Sequence, residues 1–470
     1  MKHSKPDNKG LNIIIVGCGK VGATLTEQLC KEGHDITLID KNVQKMQSLS
    51  NLYDVLAITG NGASYNVLKE AGVEDADLII AVTNSDELNL LCCTIATQVG
   101  NCAAIARVRT PDYSAEVEYL RGRLGLAMII NPELETAKEA ARILSLPTAL
   151  EVNAFAQGKA EMAKFRISEG SILDGMTIMD LSRKIITARD KKANIIVCAI
   201  ERDGEVYIPS GNFEMKAGDL ISFVASSKNT RLFMEAIGMK SDRVKNTMII
   251  GGGRAAYYLA SCLLAVGIEV KIIENNAARC EELSGLLPKA SMINGDGTNE
   301  ELLKEEGIEY AESFVPLTGI DEENILLTLY AKQVSNAKII TKINRITFKD
   351  VISELDLGSV VYPRYITAET IIAYVRAKKN SKASDKIETL YHMFDSRVEA
   401  IEFLVESESA VTNIAFKDLS LKKHLLVSFI YRKGRIIIPT GQDCIHVGDT
   451  VMIVTTHTGF HNILDILEEA

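Results

Sequence analysis

The sequence predicts an α/β chain in four parts: two doubly wound parallel-sheet domains, each followed by a small α+β lobe. Three observations predict it. Apolar runs rich in β-branched residues alternate with amphipathic segments from residue 11 to about 145, the pattern of parallel strands joined by right-handed helical crossovers. The same pattern starts again at Thr247. After each of these stretches come shorter β-rich runs punctuated by turn signals.

The first element is Asn12-Ile-Ile-Ile-Val16, followed by Gly17-Cys18-Gly19-Lys20-Val21-Gly22 and an amphipathic segment from Val21 to Cys30. Strand, Gly-x-Gly-x-x-Gly loop and helix stand in the order that a dinucleotide site needs. Gly17 allows the tight turn, Gly19 lets the backbone approach a pyrophosphate, and Gly22 lets the helix pack close to the strand. The free N–H groups of the helix start then face the phosphates. A second apolar run, Ile36-Thr-Leu-Ile-Asp40, ends in the acid that would hydrogen-bond a ribose 2′-hydroxyl and repel a 2′-phosphate, which favours NAD over NADP. Glycine loop, flanking elements and spaced acid together specify a Rossmann-like domain more firmly than the glycines alone.

Further strands follow at Asp54–Ile58, Leu78–Val82, Ala103–Arg107 and Ala127–Ile130, with helices between them. Ligands of such sheets sit outside the carboxyl ends of the strands. From about Leu150 to Gly238 the runs shorten: Ile195–Ile200, Arg202-Asp-Gly-Glu205, Tyr207-Ile-Pro-Ser-Gly211 and Leu220–Val224 read as a small α+β lobe with no recognisable active site. Then the motifs return. Gly251 follows Gly17, and Glu274 follows Asp40, by 234 residues; Gly295-Asp296-Gly297 answers Gly60-Asn61-Gly62, and Thr318-Gly319 to Asn324 answers Thr83-Asn84 to Asn89, at 235. Ile438-Pro-Thr-Gly441 and Gly448-Asp449 stand 230 beyond Ile208-Pro-Ser-Gly211 and Gly218-Asp219. Near-constant offsets over so many motifs mean a tandem duplication. The parts are residues 11–147, 148–238, 246–378 and 387–470, with polar junctions at 238–246 and 378–386 and a short one near Pro147.

Composition narrows the function classes. A formal charge of −10 argues against nucleic acid as a partner. Nine cysteines without C-x-x-C or zinc-type spacing read as buried thiols in a reducing compartment. The polar N-terminus has no signal-peptide core. The longest uncharged run, Leu88 to Ala106, is long enough to span a bilayer, but Asn89, Gln98, Gly100 and Asn101 make it a helix, a Gly-Asn turn and a strand. Any membrane role must come through a partner.

The doubled Gly-x-Gly-x-x-Gly and Gly-Gly-Gly-Arg loops, the Gly-Asn/Asp-Gly turns and the Thr-Asn-Ser-Asp-Glu segment closely resemble the TrkA family, peripheral nucleotide-binding subunits of bacterial Trk potassium-uptake systems, with sheet domains of the RCK type. The resemblance runs from about residue 11 to the end. It implies a cytoplasmic regulator, peripheral on the inner face of the membrane, that docks on an integral-membrane potassium translocator of the TrkH/TrkG kind and gates it according to bound NAD(H) or ATP and ADP. It also implies a homo-oligomer. By residue match, Gly17, Cys18, Gly19, Lys20 and Val21 line the first phosphate loop, Asp40 holds the ribose, Asn61, Thr83 and Asn84 border the adenine, and Arg107 reaches a phosphate. In the second copy Gly251, Gly252, Gly253, Arg254, Ala255, Glu274, Asp296, Thr318, Gly319 and Lys342 hold the matching places. Two departures, Ala256 for Gly22 and Asp296 for Asn61, imply that the two sites differ in affinity or preferred nucleotide.

Blander readings stand beside these. Arg107 and Lys342 are also what a solvated strand end carries, Asp40 and Glu274 can cap helices, and Asp86 with Glu87 reads as a helix-start pair satisfying the macrodipole rather than a metal site. The rival from another class is an NAD-dependent oxidoreductase, which needs an acid–base group brought to the nicotinamide. Histidine is the commonest such group, yet none of the seven (His3, His34, His392, His424, His446, His457, His461) falls on a strand-end loop of either sheet. A regulator without catalysis is the expectation; a nucleotide-binding scaffold with no transport partner is the third reading.

Overall fold

The computed structural model describes residues 10–100, 102–186, 194–239, 243–344, 352, 355–379 and 385–468. The N-terminal tail up to residue 9, Asn101 of the Gly-Asn turn, and residues 240–242 and 380–384 of the two polar junctions lie outside them. The chain forms two compact units: Met1–Thr136 with Ile343–Thr347 and Tyr362–Ala368, and Ala137–Lys342 with Phe348–Val361 and Glu369–Ala470.

The first unit holds a six-stranded sheet of β1 (Asn12–Val16), β2 (Asp35–Asp40), β3 (Leu56–Thr59), β4 (Leu78–Ala81), β5 (Ala103–Arg107) and β6 (Met128–Ile130). Its order is β3-β2-β1-β4-β5-β6, all parallel, the doubly wound arrangement expected. Ile13, Ile14, Ile15 and Val16 are all buried, because both faces of such a sheet are covered and its strands therefore read as unbroken apolar runs. Val16 pairs with Ile39 on one side and Ala81 on the other, so the loops after β1, β2 and β4 leave along one line. The first helix runs from Lys20 to Lys31. β3 starts two residues later than the sequence suggested, since the amides of Leu52 and Tyr53 still bond to the Leu49 carbonyl and close the preceding helix. The run from Leu88 divides as expected, into helix Asp86–Gly100 and β5. Among the described residues no helix is long and apolar enough to cross a membrane.

The second unit opens with an antiparallel sheet, β7 (Glu151–Phe155), β8 (Ala160–Arg166), β9 (Ile195–Arg202), β10 (Glu205–Tyr207) and β11 (Leu220–Ala225), ordered β10-β9-β11-β8-β7. The β7–β8 hairpin went unseen in the sequence. Its turn is made by Ala156, Gln157 and Gly158, all at positive φ, and only one of the three is a residue that announces such a turn. A second parallel sheet follows: β12 (Asn246–Ile250), β13 (Glu269–Glu274), β14 (Ser291–Asn294), β15 (Ser313–Pro316), β16 (Lys338–Lys342) and β17 (Ser359–Val361). Its order, β14-β13-β12-β15-β16-β17, repeats the first. The last sheet comprises β18 (Asp385–Met393), β19 (Val398–Val405), β20 (Leu425–Arg432), β21 (Arg435–Ile437) and β22 (Thr450–Thr455), ordered β18-β19-β22-β20-β21.

The two lobes share one hydrophobic core, in which Phe155, Met162, Cys198 and Val224 pack with Met393, Val398, Phe429 and Met452. Polar contacts stitch the seam. Tyr391 Oη donates to Glu151 Oε2 at 2.8 Å, Arg397 pairs with Glu201, and Glu402 Oε1 accepts the N–H of Ala156 at 2.6 Å. Glu402 is 2% exposed, and burial pushes its carboxyl up to about 7, against hydrogen bonds from Thr389 and Ala156 that lower it. A carboxyl whose folded pKa is raised stabilises the fold fully below its unfolded value of about 4.5 and loses that contribution as pH rises through 7. Glu402→Gln should therefore flatten the stability profile between pH 4.5 and 7 and raise stability at pH 8 by about 2–3 kcal/mol. Denaturant titrations of both proteins at pH 5 and 8 check this; equal slopes with pH would remove Glu402 as the source.

Candidate functional site

The glycine loop shows why the sequence needs glycine at two of its three positions. Gly17 sits at φ +104° and a Cβ there would lie 2.9 Å from the Thr83 amide nitrogen. At Gly22 a Cβ would lie 1.9 Å from the Gly17 carbonyl oxygen, so the helix lies against the loop as expected. A Cβ at Gly19 would meet no protein atom within 4 Å; protein packing does not require that glycine, and open space is what an approaching ligand needs. Asp40 ends β2 beside the loop. Its carboxylate accepts the N–H of Cys18 at 2.6 Å and of Asn42 at 2.8 Å, tying the phosphate loop to the start of helix Val43–Ser50.

These residues meet in a cavity of about 200 Å³ at the carboxyl ends of β1, β2 and β4. Of the residues the sequence marked for nucleotide, Gly17, Gly19, Asp40, Asn61, Thr83 and Asn84 line it. Cys18, Lys20, Val21, Gly22 and Arg107 are not among its lining residues. Cys18 is buried with its Sγ 3.2 Å from Met46 Sδ, and burial with the nearby Asp40 charge pushes its thiol up to about 12, which leaves it inert. Lys20 is exposed at the helix start and Val21 is core.

Arg107 is nearly buried and donates to the Thr83 carbonyl and, at 3.3 Å, to Asn84 Oδ1. In this arrangement it holds the Thr83–Asn84 loop. Asn89, which the sequence marked only as part of the repeat, anchors the same loop. Fully buried, it accepts from Thr83 N–H at 2.8 Å and Thr83 Oγ1 at 2.7 Å through Oδ1, and donates through Nδ2 to the carbonyls of Thr83 (3.2 Å) and Arg107 (2.9 Å). Its spacing, six residues after Thr83 in both copies, was the available signal. Lys41 and Lys45 also line the cavity and were missed; Lys45 lies in the first turn of the helix capped by Asn42. Asp86 does start its helix, but its carboxylate reaches across to the Thr110 hydroxyl and the amides of Arg109 and Thr110 at 2.7–2.9 Å, and these bonds, against burial, hold its carboxyl below the usual range.

The second copy repeats the frame with different side chains. Gly251 takes φ +96°, Glu274 accepts the N–H groups of Gly252 (2.6 Å) and Asn276 (2.8 Å), and Asn324 clamps Thr318 and the Lys342 carbonyl as Asn89 does. Ala256 is fully buried where the first loop has Gly22. Arg279 Nε donates to the Gly252 carbonyl at 2.7 Å, laying a guanidinium on the loop where the first copy has Lys45. Asp296 turns back to the amide and hydroxyl of Thr298 at 2.9 and 2.8 Å. Arg254 and Gly253 begin the helix, exposed, with Ala255 half-buried beside them; Gly319 is exposed, and Lys342 Nζ donates to the Leu317 carbonyl at 3.0 Å.

Comparison with known proteins matches this architecture part by part. Residues 13–132 and 247–363 each match the TrkA-N domain, and residues 162–238 and 400–468 each match the TrkA-C domain. The chain belongs to the TrkA family. It is 33% identical over 443 residues to the Trk system potassium uptake protein TrkA homolog of Archaeoglobus fulgidus, covering 94% of this chain and 97% of that protein. It is 32% identical to the Trk system potassium uptake protein TrkA of Vibrio alginolyticus, over 94% and 95% of the two chains. Among solved structures the fold is similar to the GsuK channel (TM-score 0.63, 18% identity, 96% of this chain and 78% of that one) and to the GsuK channel bound to NAD (TM-score 0.62, 18% identity, the same coverage). The TrkA-N and TrkA-C pair is thus present twice in this chain, each parallel sheet followed by its antiparallel lobe.

Proposed function

We propose that this chain is the nucleotide-responsive regulatory subunit of a membrane potassium-uptake system. The observation that carries the reading is the cavity at the ends of β1, β2 and β4, where the glycine loop, Asp40 and the Thr83–Asn84 loop converge in a chain whose relatives are Trk potassium uptake proteins. NAD(H), with ATP or ADP as its competitor, is the ligand. Its adenosine ribose donates to Asp40, its phosphates take the loop amides and the ammonium groups of Lys41 and Lys45, and Asn61, Thr83 and Asn84 border the adenine. Asp40 already holds Cys18 and Asn42 through their amides, so occupancy acts on the loop and on helix Val43–Ser50 together. The second copy, with Arg279 laid on its loop, takes a different nucleotide or the same one less tightly.

The subunit works from the cytoplasmic face, self-associates, and docks on an integral-membrane potassium translocator of the TrkH/TrkG kind. Nucleotides gate by population shift: only one that binds two domain arrangements unequally changes transport. The test is potassium uptake at low external potassium in cells lacking this gene. The native chain restores uptake; Asp40→Ala, at equal protein level, does not, and its NADH affinity falls roughly 10- to 100-fold for a lost charge-assisted hydrogen bond. Uptake restored equally by Asp40→Ala overturns the first site as the regulatory one. Turnover of NADH with a metabolite would instead bring back the oxidoreductase reading.

A further inference from the structure

The second lobe departs from its own copy after its last strand. In the first lobe β11 runs directly into helix Ser227–Ala236, capped by the Ser226 hydroxyl, which accepts the Asn229 N–H. β22 lies 230 residues beyond β11 in sequence, but after Thr455 the chain forms a loop, Thr456 to Asn462, before a single turn at Ile463–Ile466. A duplicated unit keeps its frame; where one copy opens a capped helix into a loop, some demand other than the frame has acted.

The loop bounds a cavity of about 540 Å³. One ammonium (Lys422), two imidazoles (His457, His461) and two hydroxyls (Thr456, Thr458) line it. Its carboxylate, Asp465, is committed to capping the turn, accepting the amides of His461 at 2.7 Å and Asn462 at 2.9 Å. Two of the lining side chains are positioned on one buried ring: the His457 imidazole stacks on Phe460 with centroids 6.1 Å apart, and Lys422 Nζ lies 5.1 Å from the same ring. His457 Nε2, 2.8 Å from the Lys423 carbonyl, is assigned the proton that this bond needs, which leaves Nδ1 as an acceptor. The loop is also tied inward. The Gly459 N–H donates to Glu399 Oε2 at 3.1 Å, and Glu399 forms a two-pronged pair with Arg376 at 3.0 Å on each prong.

We propose that this cavity binds a small phosphate-bearing anion, and that an occupant tightens the helix carrying Arg376 through Gly459 and Glu399. An ammonium and two hydroxyl donors beside an imidazole acceptor suit a monoprotonated phosphoryl group, which offers several acceptor oxygens and one P–OH donor. The test uses the full chain and the rate at which diethyl pyrocarbonate modifies His457, followed by peptide mass spectrometry. At inorganic phosphate about twice its Kd the rate falls about threefold against chloride of equal ionic strength, because protection scales as 1 + [L]/Kd. Lys422→Gln abolishes that protection, whereas Lys423→Gln, which alters an ammonium outside the lining, keeps it. No protection by millimolar phosphate, or equal loss in both variants, overturns the site. Glycerol 1-phosphate in a parallel arm separates the sources: protection by both assigns a phosphoryl group, by phosphate alone the free ion. Amide exchange across Glu369–Lys379 slows with phosphate in the native chain; unchanged exchange alongside protected His457 overturns the coupling.

Discussion

Arg376→Leu destabilises the second unit by about 3–5 kcal/mol, the cost of breaking a buried ion pair from one side. Arg376 and Glu399 are 2% and 1% exposed, and His392 Nε2 lies 3.3 Å from Glu399 Oε1. Burial alone would raise the Glu399 carboxyl, but hydrogen bonds from His392 and Arg376 bring it to about 2. A carboxyl depressed in this way stabilises fully above its unfolded value of about 4.5 and loses that contribution as pH falls towards 2. Losing Arg376 leaves a buried carboxylate with only His392 and the Gly459 N–H as partners. Arg376→Leu/Glu399→Leu recovers more than half of the loss, since it removes that half-paired carboxylate and His392 keeps Glu369 at 3.4 Å. Chemical denaturation of the single and double variants at pH 7 decides; a double variant as unstable as the single one would show that shape, not charge, is what this seam requires.

The second large effect is on ligand affinity. Asn89→Ala strips the Thr83–Asn84 loop of its anchor, leaving the Thr83 amide and the Arg107 carbonyl without the partner that held them, while the Thr83 carbonyl keeps only the Arg107 guanidinium. Unpaired buried backbone groups cost about 1–3 kcal/mol each, and part of that is relieved when the loop moves away from its position in the cavity. Nucleotide affinity at the first site should fall by at least about 30-fold, or some 2 kcal/mol, although Asn89 does not line the cavity. Asn324→Ala, the same change in the second copy, leaves the first site unaffected. Titration with NADH of the native chain and both variants measures this, with thermal melts to show that each is folded; equal affinity in Asn89→Ala would make the loop self-supporting.

What was legible in the sequence follows from where its signals are local. The two doubly wound parallel sheets follow from apolar runs, a glycine loop and a spaced acid, each readable within about 30 residues; their strand order comes from the structure. The β7–β8 hairpin was not, because its turn uses Ala156 and Gln157 at positive φ and is held by Glu402, 246 residues away in the chain. At the site, backbone-shaping residues such as Gly17 and Asp40 were found from spacing. Arg107 was given a phosphate by residue match; its hold on the neighbouring Thr83–Asn84 loop depends on acceptors that spacing does not reveal. Asn89 hid for the converse reason: a buried amide on a helix looks like any polar residue until both loops it bridges are in place.

The core shared between the two lobes also sets a timetable. β11 ends at Ala225 and β18 begins at Asp385, so the first lobe leaves the ribosome about 160 residues before the partner that covers it. At synthesis rates of about 5–20 residues per second that is an interval of roughly 8–30 s, long compared with the collapse of a small sheet. Throughout it, Phe155, Met162 and Val224 lack the Met393, Phe429 and Met452 against which they finally pack. A nascent chain stalled within the second parallel sheet would present an apolar face to chaperones and to other nascent copies. The duplication that makes the molecule symmetric in plan makes its assembly strictly sequential in time.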